Sequence, residues 1–122
     1  MHYSELLLIL GRILLGGLFV LGGVHHFFML QPLTSALAAR GVPLARVALI
    51  VASVFQTVAG VLVMIGQYVA PAAIGLVLFT IVASILMLNF WSLEGAARDS
   101  AKQGFQTNLA IIGGLLITAA TA

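Results

Sequence analysis

The chain has 122 residues, of which 62% are hydrophobic and only 7% are charged. Soluble domains average about 25% charged residues, so this chain has too few to cover a water-facing surface, which excludes a soluble enzyme and a disordered chain. The net charge of +2 comes from five basic and three acidic residues that are scattered along the chain. Because the basic residues do not form a continuous stripe, the charge pattern excludes a nucleic-acid-binding surface. Scattered charges of this kind are typical of topology signals in an integral membrane protein.

Four apolar stretches predict four helices, in chain order at about 6–30, 44–66, 70–91 and 105–121. One membrane span needs about 20 apolar residues, so the 47 uncharged residues between Arg46 and Glu94 are long enough for two spans. Gly66 suits the end of the second helix, and Pro71 suits the first turn of the third. Because backbone groups in lipid need partners within their own segment, we predict an all-α fold. It is a single transmembrane domain, residues 1–122, that forms an antiparallel four-helix bundle.

The two longer connections differ in composition. Residues 31–43 contain LTSALAAR, which can form a short interfacial helix, whereas residues 92–104 hold Glu94, Arg98 and Lys102 at intervals of four. That spacing indicates a solvated helix face or a docking site for a soluble partner. Both connections lie on one side of the membrane with four of the five basic residues. The positive-inside rule therefore places them in the cytoplasm and both termini outside.

The first predicted helix contains Arg12. It interrupts the apolar run, and no positive charge precedes it, which favours a retained span over a cleaved signal peptide. Arg12 either extends to the near interface or faces the bundle interior, where it would pair with a polar group or an anionic ligand. Five residues recur at intervals of four and three: Arg12, Gly16, Phe19, Gly23 and His26. We predict that they share one helix face, on which the glycines let another helix approach closely.

The adjacent residues His25 and His26 point about 100° apart on a regular helix, so only one of them can face a given pocket. They are either interfacial side chains near the headgroups or, in the case of His26, a hydrogen-bonding or proton-transfer group. All histidines of the chain lie on or before the first predicted helix. A haem bound by two helices of one copy is therefore not expected.

Amide side chains mark the other predicted helices. Gln56 lies in the middle of the second, Asn89 precedes Phe90 and Trp91 at the end of the third, and Asn108 lies in the first turn of the fourth. Amides in membrane helices usually form hydrogen bonds across helices, so we assign Gln56 and Asn108 to the bundle interior. No carboxylate lies within a predicted span, which argues against a proton-coupled exporter of the small four-helix type.

Several stretches carry a family resemblance over nearly the whole chain. The first helix has an arginine near its start and a glycine-rich apolar run, GRILLGGLFVLGGVHHF, and the following loop has GVP. The second helix contains QTVAGVLVMIG, and the most specific stretch is NFWSLEGAAR followed by GFQTNLAIIGGLL. Together they resemble the DoxX family of small four-helix bacterial membrane proteins. The chain departs from the family at Gln56, where many members have a carboxylate, and at His26, where many have lysine.

The resemblance implies a multi-pass protein of the bacterial cytoplasmic (inner) membrane with a redox role. The family was named from a subunit associated with thiosulfate:quinone oxidoreduction, and its members are described as oxidoreductases or as partners in redox complexes. Since the chain has no cysteine and no flavin, haem or copper motif, we expect no intrinsic cofactor and no metal. Quinone or bound lipid would then supply the chemistry, in contact with His26, Asn89, Phe90 and Trp91.

The leading hypothesis is an accessory or anchoring subunit of a respiratory or redox complex, without a catalytic residue of its own. Its partners would be membrane lipids and other membrane subunits or further copies of the chain, and no nucleic acid. A stand-alone quinone-linked oxidoreductase that uses Arg12 and His26 is the first alternative. An oligomeric small-solute transporter or channel is the second.

Overall fold

The structure, a computed structural model, describes residues 2–122 and is all-α. Its helices are α1 (His2–Phe28), α2 (Leu30–Ala39), α3 (Ala45–Ile65), α4 (Val69–Met87) and α5 (Gly95–Ala120). A 3-10 turn, Phe90–Ser92, lies between α4 and α5. The all-α prediction is confirmed, and the segment LTSALAAR forms most of the short helix α2.

A tight hairpin joins α3 to α4. Gly66 ends α3 with a φ of 77°, a left-handed conformation that glycine adopts without steric cost. The backbone N–H groups of Gly66 and Gln67 donate to the carbonyls of Val63 and Leu62, which would otherwise lack partners. Pro71 lies in the first turn of α4, where its missing N–H is not needed. The predicted positions of the turn glycine and the helix-starting proline are confirmed.

The boundary between α4 and α5 differs from the predicted one. α4 ends at Met87, not at 91, and α5 begins at Gly95, not at 105. Residues 95–104 lie in the predicted connection, where the spacing of Glu94, Arg98 and Lys102 indicated a helix face. They are helical, and most of them are good helix formers. Gly104, the last residue of the predicted connection, lies within α5. A Cβ atom there would lie 3.2 Å from the side chain of Leu88. The glycine therefore permits a close contact with the end of α4.

The long helices pack with antiparallel neighbours. α1 packs mainly against α3, α3 against α4, and α4 against α5. The hydrophobic core lies towards the hairpin end, where Val63, Leu76 and Leu115 have no exposed surface. The whole core cluster contains Phe19, Ala59, Val63, Ala72, Ala73, Leu76, Val77 and Leu115.

The outer surface is apolar. Large side chains such as Leu14 (75% exposed) and Leu21 (73% exposed) face outwards without a polar coat, as in a protein surrounded by lipid. Within residues 2–122, three segments are long and apolar enough to cross a membrane: Tyr3–Phe28, Ala45–Ile65 and Val69–Ser92. α5 is not among them, since it begins with a polar segment. The protein is an all-α membrane protein, and the four-helix transmembrane bundle stays a prediction.

Candidate functional site

The backbones of α1 and α3 are in contact along a line of small residues, here called the α1–α3 seam. A Cβ atom on Gly16 would lie 2.5 Å from the carbonyl oxygen of Gly60, and one on Gly23 would lie 2.2 Å from Oγ1 of Thr57. Cβ atoms in proteins essentially never approach another atom this closely, so no larger residue fits at either position without a shift of the neighbouring atoms. Phe19 lies on the same face of α1 and is buried. The predicted face of α1 is therefore confirmed, and its glycines allow the close approach.

Gln56 extends from α3 across this seam. Its Nε2 donates to the carbonyl oxygen of Phe19 at 3.0 Å, and only the amide nitrogen can make that bond. The residue is only 6% exposed, and its Oε1 is buried with no hydrogen-bond partner among the described residues. An unpaired buried acceptor costs about 1–3 kcal/mol. Such a group is rare in native proteins and is a candidate for a functional role.

His26 lies at the end of the seam farther from the hairpin. Its Nδ1 is 3.0 Å from Oγ of Ser53 on α3. The backbone carbonyl of Ser53 in turn accepts a hydrogen bond of 2.8 Å from Oγ1 of Thr57. His25 is exposed on another side of α1. Of the two adjacent histidines, His26 is thus the one that faces α3, in keeping with their angular separation on the helix.

A chain of hydrogen bonds joins α5 to α4. Nδ2 of Asn108 donates to Oγ of Ser84 at 2.9 Å, and that hydroxyl donates to the carbonyl of Thr80 at 2.6 Å. Oγ1 of Thr80 donates to the carbonyl of Leu76 at 2.7 Å. Asn108 therefore makes the bond across helices that amides in membrane helices commonly form.

Gln56, His26 and Asn108 line one cavity of about 800 Å³. All five α-helices contribute to its wall, including α2 through Leu33 and Leu37. Thr80 and Thr107 add hydroxyl groups, and the rest of the wall is apolar. Ligand sites in proteins typically measure about 300–1,000 Å³ and combine an apolar wall with a few polar groups. We call this space the interhelical cavity and take it as the candidate functional site.

Three residues that the sequence analysis grouped with His26 do not line the interhelical cavity: Asn89, Phe90 and Trp91. Oδ1 of Asn89 accepts a hydrogen bond from Nη1 of Arg40, which also donates to the carbonyl of Leu86 at 2.5 Å. Arg40 thereby joins the end of α2 to the end of α4, where a cation is favourable next to free helix carbonyls.

The aromatic residues form a cluster of their own. The rings of Phe90, Trp91 and Phe105 meet edge to face, with centroids 5.4–6.0 Å apart. The guanidinium of Arg98 lies 6.0 Å from the centroid of Phe90. Because α4 ends at Met87, the chain turns away from the cavity before these aromatic residues. None of the three aromatic residues lines the interhelical cavity with His26.

Arg12 lies at the opposite end of the bundle. A Cβ atom on Gly66 would be 3.5 Å from its Nη2, which places the guanidinium beside the hairpin. Arg12 lines a second cavity of about 520 Å³ between α1 and α5. Arg12 and His26 therefore belong to different sites, as their separation of about 21 Å along α1 predicts.

The sequence analysis missed three buried hydroxyl residues: Ser53, Thr80 and Ser84. Thr80 and Ser84 donate to carbonyls four residues earlier, a bond that Ser and Thr make in many helices. Their spacing of four was the available signal, because it puts both on one helix face. Ser53 lies three residues before Gln56 and shares its face of α3 in the same way.

Comparison with known families gives a match over residues 7–89 to the DoxX family model. The chain belongs to the DoxX family. The matched range covers the α1–α3 seam and all of α4, so the DoxX assignment includes Gln56 and His26 but not Asn108. A curated relative is the "Inner membrane protein YphA" of Escherichia coli strain K12, 25% identical over 115 residues, which are 94% of this chain and 82% of that protein. No solved structure matches the chain significantly.

Proposed function

We propose that this DoxX-family protein is an inner-membrane subunit of a redox complex, and that its interhelical cavity binds quinol. The observation that carries the proposal is that Gln56 lines the cavity and that its buried Oε1 has no hydrogen-bond partner among the described residues. The relative YphA is described as an inner membrane protein, which supports the same location for this chain. The role proposed is that of an accessory subunit that positions quinol for its partners.

The polar groups of the wall suit a quinol better than a quinone. A quinol carries two hydroxyl groups that donate hydrogen bonds, whereas a quinone carries only carbonyl acceptors. Oε1 of Gln56 is an acceptor, and because it is buried, a quinol hydroxyl would reach it only after the Gln56 side chain turns towards the cavity that the residue lines. That contact would remove the cost of leaving Oε1 unpaired. His26 uses Nδ1 towards Ser53, which leaves Nε2 for a second polar contact. The apolar wall would hold the ring and the isoprenoid tail.

The binding experiment compares decylubiquinol with decylubiquinone on the purified protein in lipid nanodiscs. We expect the wild type to bind the quinol more tightly and Gln56→Leu to weaken quinol binding about tenfold, as for the loss of a hydrogen bond in a buried site. Gln106→Leu is the matched control, because Gln106 is exposed on α5 and does not line the cavity. Intrinsic fluorescence quenching or calorimetry gives the dissociation constants.

Two results would contradict the quinol proposal. One is a wild-type protein that binds neither decylubiquinol nor decylubiquinone. The other is an equal loss of binding in Gln56→Leu and Gln106→Leu, which would mean that Gln56 has no specific contact with the ligand. Gln56→Glu adds a further check, because it retains acceptor oxygens and is expected to bind quinol better than Gln56→Leu does.

The first turns of α5 support an accessory role. Because Gly104 already lies beside the end of α4 at Leu88, the preceding segment extends beyond that helix. Arg98, Asp99 and Lys102 are all exposed on it. This polar segment offers a soluble or membrane partner a charged surface. Gentle solubilisation of native membranes followed by mass spectrometry is expected to recover the chain with redox subunits, and recovery of the chain alone would argue against this role.

We also propose that α5 is a fourth membrane crossing, with both termini in the periplasm. The antiparallel packing of α5 on α4 supports this arrangement. The chain has no cysteine, so single-cysteine variants can be labelled without background. Gln67→Cys and Ala122→Cys are expected to react with an impermeant maleimide added outside spheroplasts, and Ser100→Cys only after permeabilisation. Labelling of residues 100 and 122 from the same side would exclude a fourth crossing.

A further inference from the structure

A surface groove separates α1 from α5 near the hairpin end of the protein. It has a volume of about 520 Å³ and is lined largely by leucine and isoleucine, together with Arg12. Leu7, Leu14 and Ile117 in its wall are 67%, 75% and 65% exposed. The groove is therefore part of the apolar outer surface and is accessible from the surrounding lipid.

Arg12 is the charged side chain in the lining of this groove, and it has no anionic partner within residues 2–122. Its side chain is half-buried, and Nε is fully buried without a hydrogen-bond partner among the described residues. Glu94 and Asp99 lie at the other end of the bundle, at the start of α5. Glu5 is on α1 itself but about 10 Å away along the helix axis. An unpaired cation in an apolar wall is costly and usually marks a binding site.

The guanidinium of Arg12 lies at the hairpin end of the bundle. It is beside Gly66, where α3 ends and the hairpin begins. The hairpin residues Gln67 and Tyr68 are exposed. A polar amide and an amphipathic tyrosine ring are both expected at the boundary between hydrocarbon and headgroups. Arg12 is nine residues into the apolar segment that begins at Tyr3, about 13 Å along the helix axis. Its long side chain would therefore extend towards the headgroups to meet a phosphate.

The other polar side chains of the groove do not compete for an anion. Oγ1 of Thr118 donates to the carbonyl of Gly114 at 2.8 Å, and Oγ1 of Thr121 donates to that of Ile117 at 2.9 Å. Their single hydroxyl protons are used within α5, so the guanidinium supplies the free donors. A planar guanidinium can bind two phosphate oxygens at once.

We propose that the groove between α1 and α5 is a binding site for an anionic phospholipid. Arg12 binds its phosphate, and the leucine-rich wall holds an acyl chain. The single positive charge of Arg12 balances the single net negative charge of a lipid such as phosphatidylglycerol. Phosphatidylcholine carries the same phosphate, but its own choline cation leaves no net charge to balance. The site is distinct from the interhelical cavity and does not depend on the quinol proposal.

The experiment uses the full chain reconstituted in vesicles of phosphatidylglycerol and phosphatidylcholine in equal amounts. Native mass spectrometry of the protein released into detergent counts the lipids that remain bound. We expect the wild type to retain phosphatidylglycerol in preference to phosphatidylcholine, and Arg12→Gln to reduce that preference about tenfold. Arg46→Gln removes the same charge from an exposed position at the other end of the bundle, and we expect it to behave like the wild type.

A second variant tests the groove with Arg12 intact. Gly114 lines the groove, and a Cβ atom there would lie 3.8 Å from Leu15, which is an ordinary contact distance. The backbone position therefore tolerates a side chain, and the large ring of Gly114→Phe would fill the groove. We expect this variant to lose bound phosphatidylglycerol while its circular dichroism stays that of the wild type, so it tests the site even where Arg12→Gln fails to fold.

Three results would overturn the lipid site. The first is undiminished retention of phosphatidylglycerol in both Arg12→Gln and Gly114→Phe. The second is a loss of phosphatidylglycerol in Arg46→Gln as large as that in Arg12→Gln. The third is displacement of the lipid by an excess of inorganic phosphate. The last result would mean that the groove recognises the phosphate alone and not a lipid.

Discussion

The two ends of this helical bundle are packed differently. Towards the hairpin, Val63, Leu76 and Leu115 from three helices meet with no exposed surface. Towards the opposite end, the buried side chains include the polar Ser53 and Ser84, and the helices border an open cavity of about 800 Å³. The hairpin half therefore holds the bundle together, and the cavity half is the part built to accept a ligand.

The connections between helices account for this difference. At the hairpin end, α3 and α4 are joined by only a few residues around Gly66, which keeps the two helices in contact. At the other end, the ten-residue helix α2 and the segment 88–94 form the connections, and both need space. α2 contributes to the cavity wall and has no buried residue of its own. Longer connections thus allow the helices to separate and leave room for a ligand.

The largest expected effect on stability is in the hairpin half. Leu76→Ala removes a side chain with 0% exposure, and we expect the free energy of unfolding to fall by about 2–5 kcal/mol. Leu37→Ala, in the cavity wall, is the matched control. Its loss of unfolding free energy should be clearly smaller, because Leu37 is only partly buried and lines the interhelical cavity. Denaturant unfolding in detergent micelles, followed by circular dichroism, measures both. Equal losses would mean that the two halves are equally well packed.

A smaller effect is expected at the α1–α3 seam. Gly16→Ala places a Cβ atom 2.5 Å from the backbone oxygen of Gly60, which cannot move as a flexible side chain would. We expect a loss of about 1–3 kcal/mol from this overpacking. Gly113→Ala makes the same change in α5, where a Cβ atom meets nothing within 4 Å. Because alanine favours helix over glycine, this control should be neutral or more stable, and a loss as large as that of Gly16→Ala would refute the close contact.

The smallest effect distinguishes two amides of the cavity wall. Asn108→Leu removes a completed hydrogen bond to Ser84 and should cost about 0.6–2 kcal/mol. Gln56→Leu removes one hydrogen bond but also the unpaired Oε1, so we expect almost no change in stability. The same unfolding measurement compares the two variants. A larger loss for Gln56→Leu than for Asn108→Leu would show that Oε1 has a partner after all.

Local patterns were sufficient for several features of the fold. Gly66 and Pro71 marked the hairpin, because glycine tolerates a left-handed turn and proline suits a first helical turn. The spacing of Gly16 and Gly23 identified the face of α1 that meets α3. The predicted start of the last helix at 105 was wrong, because α5 begins at Gly95 and continues through Gly104. In the structure Gly104 lies against Leu88, a residue of the preceding connection, and local sequence does not show such a contact.

The candidate site was predictable only in part. Gln56, His26 and Asn108 were each singled out because a polar group is costly in lipid, but nothing in their spacing showed that they line one cavity. Asn89, Phe90 and Trp91 were grouped with His26 from their expected depth in the membrane. α4 ends at Met87, before these residues, and none of them lines the cavity.

Composition alone established that this is a helical membrane protein. With 7% charged residues the chain cannot cover itself with polar groups, and a backbone in lipid must satisfy its own hydrogen bonds, which requires helices. Which helices meet, and which polar side chains share a cavity, depended on the assembled bundle. Apolar residues cover nearly every side of these helices, so their orientation follows from a few close contacts, such as Gly16 against Gly60, that form only when the helices pack together.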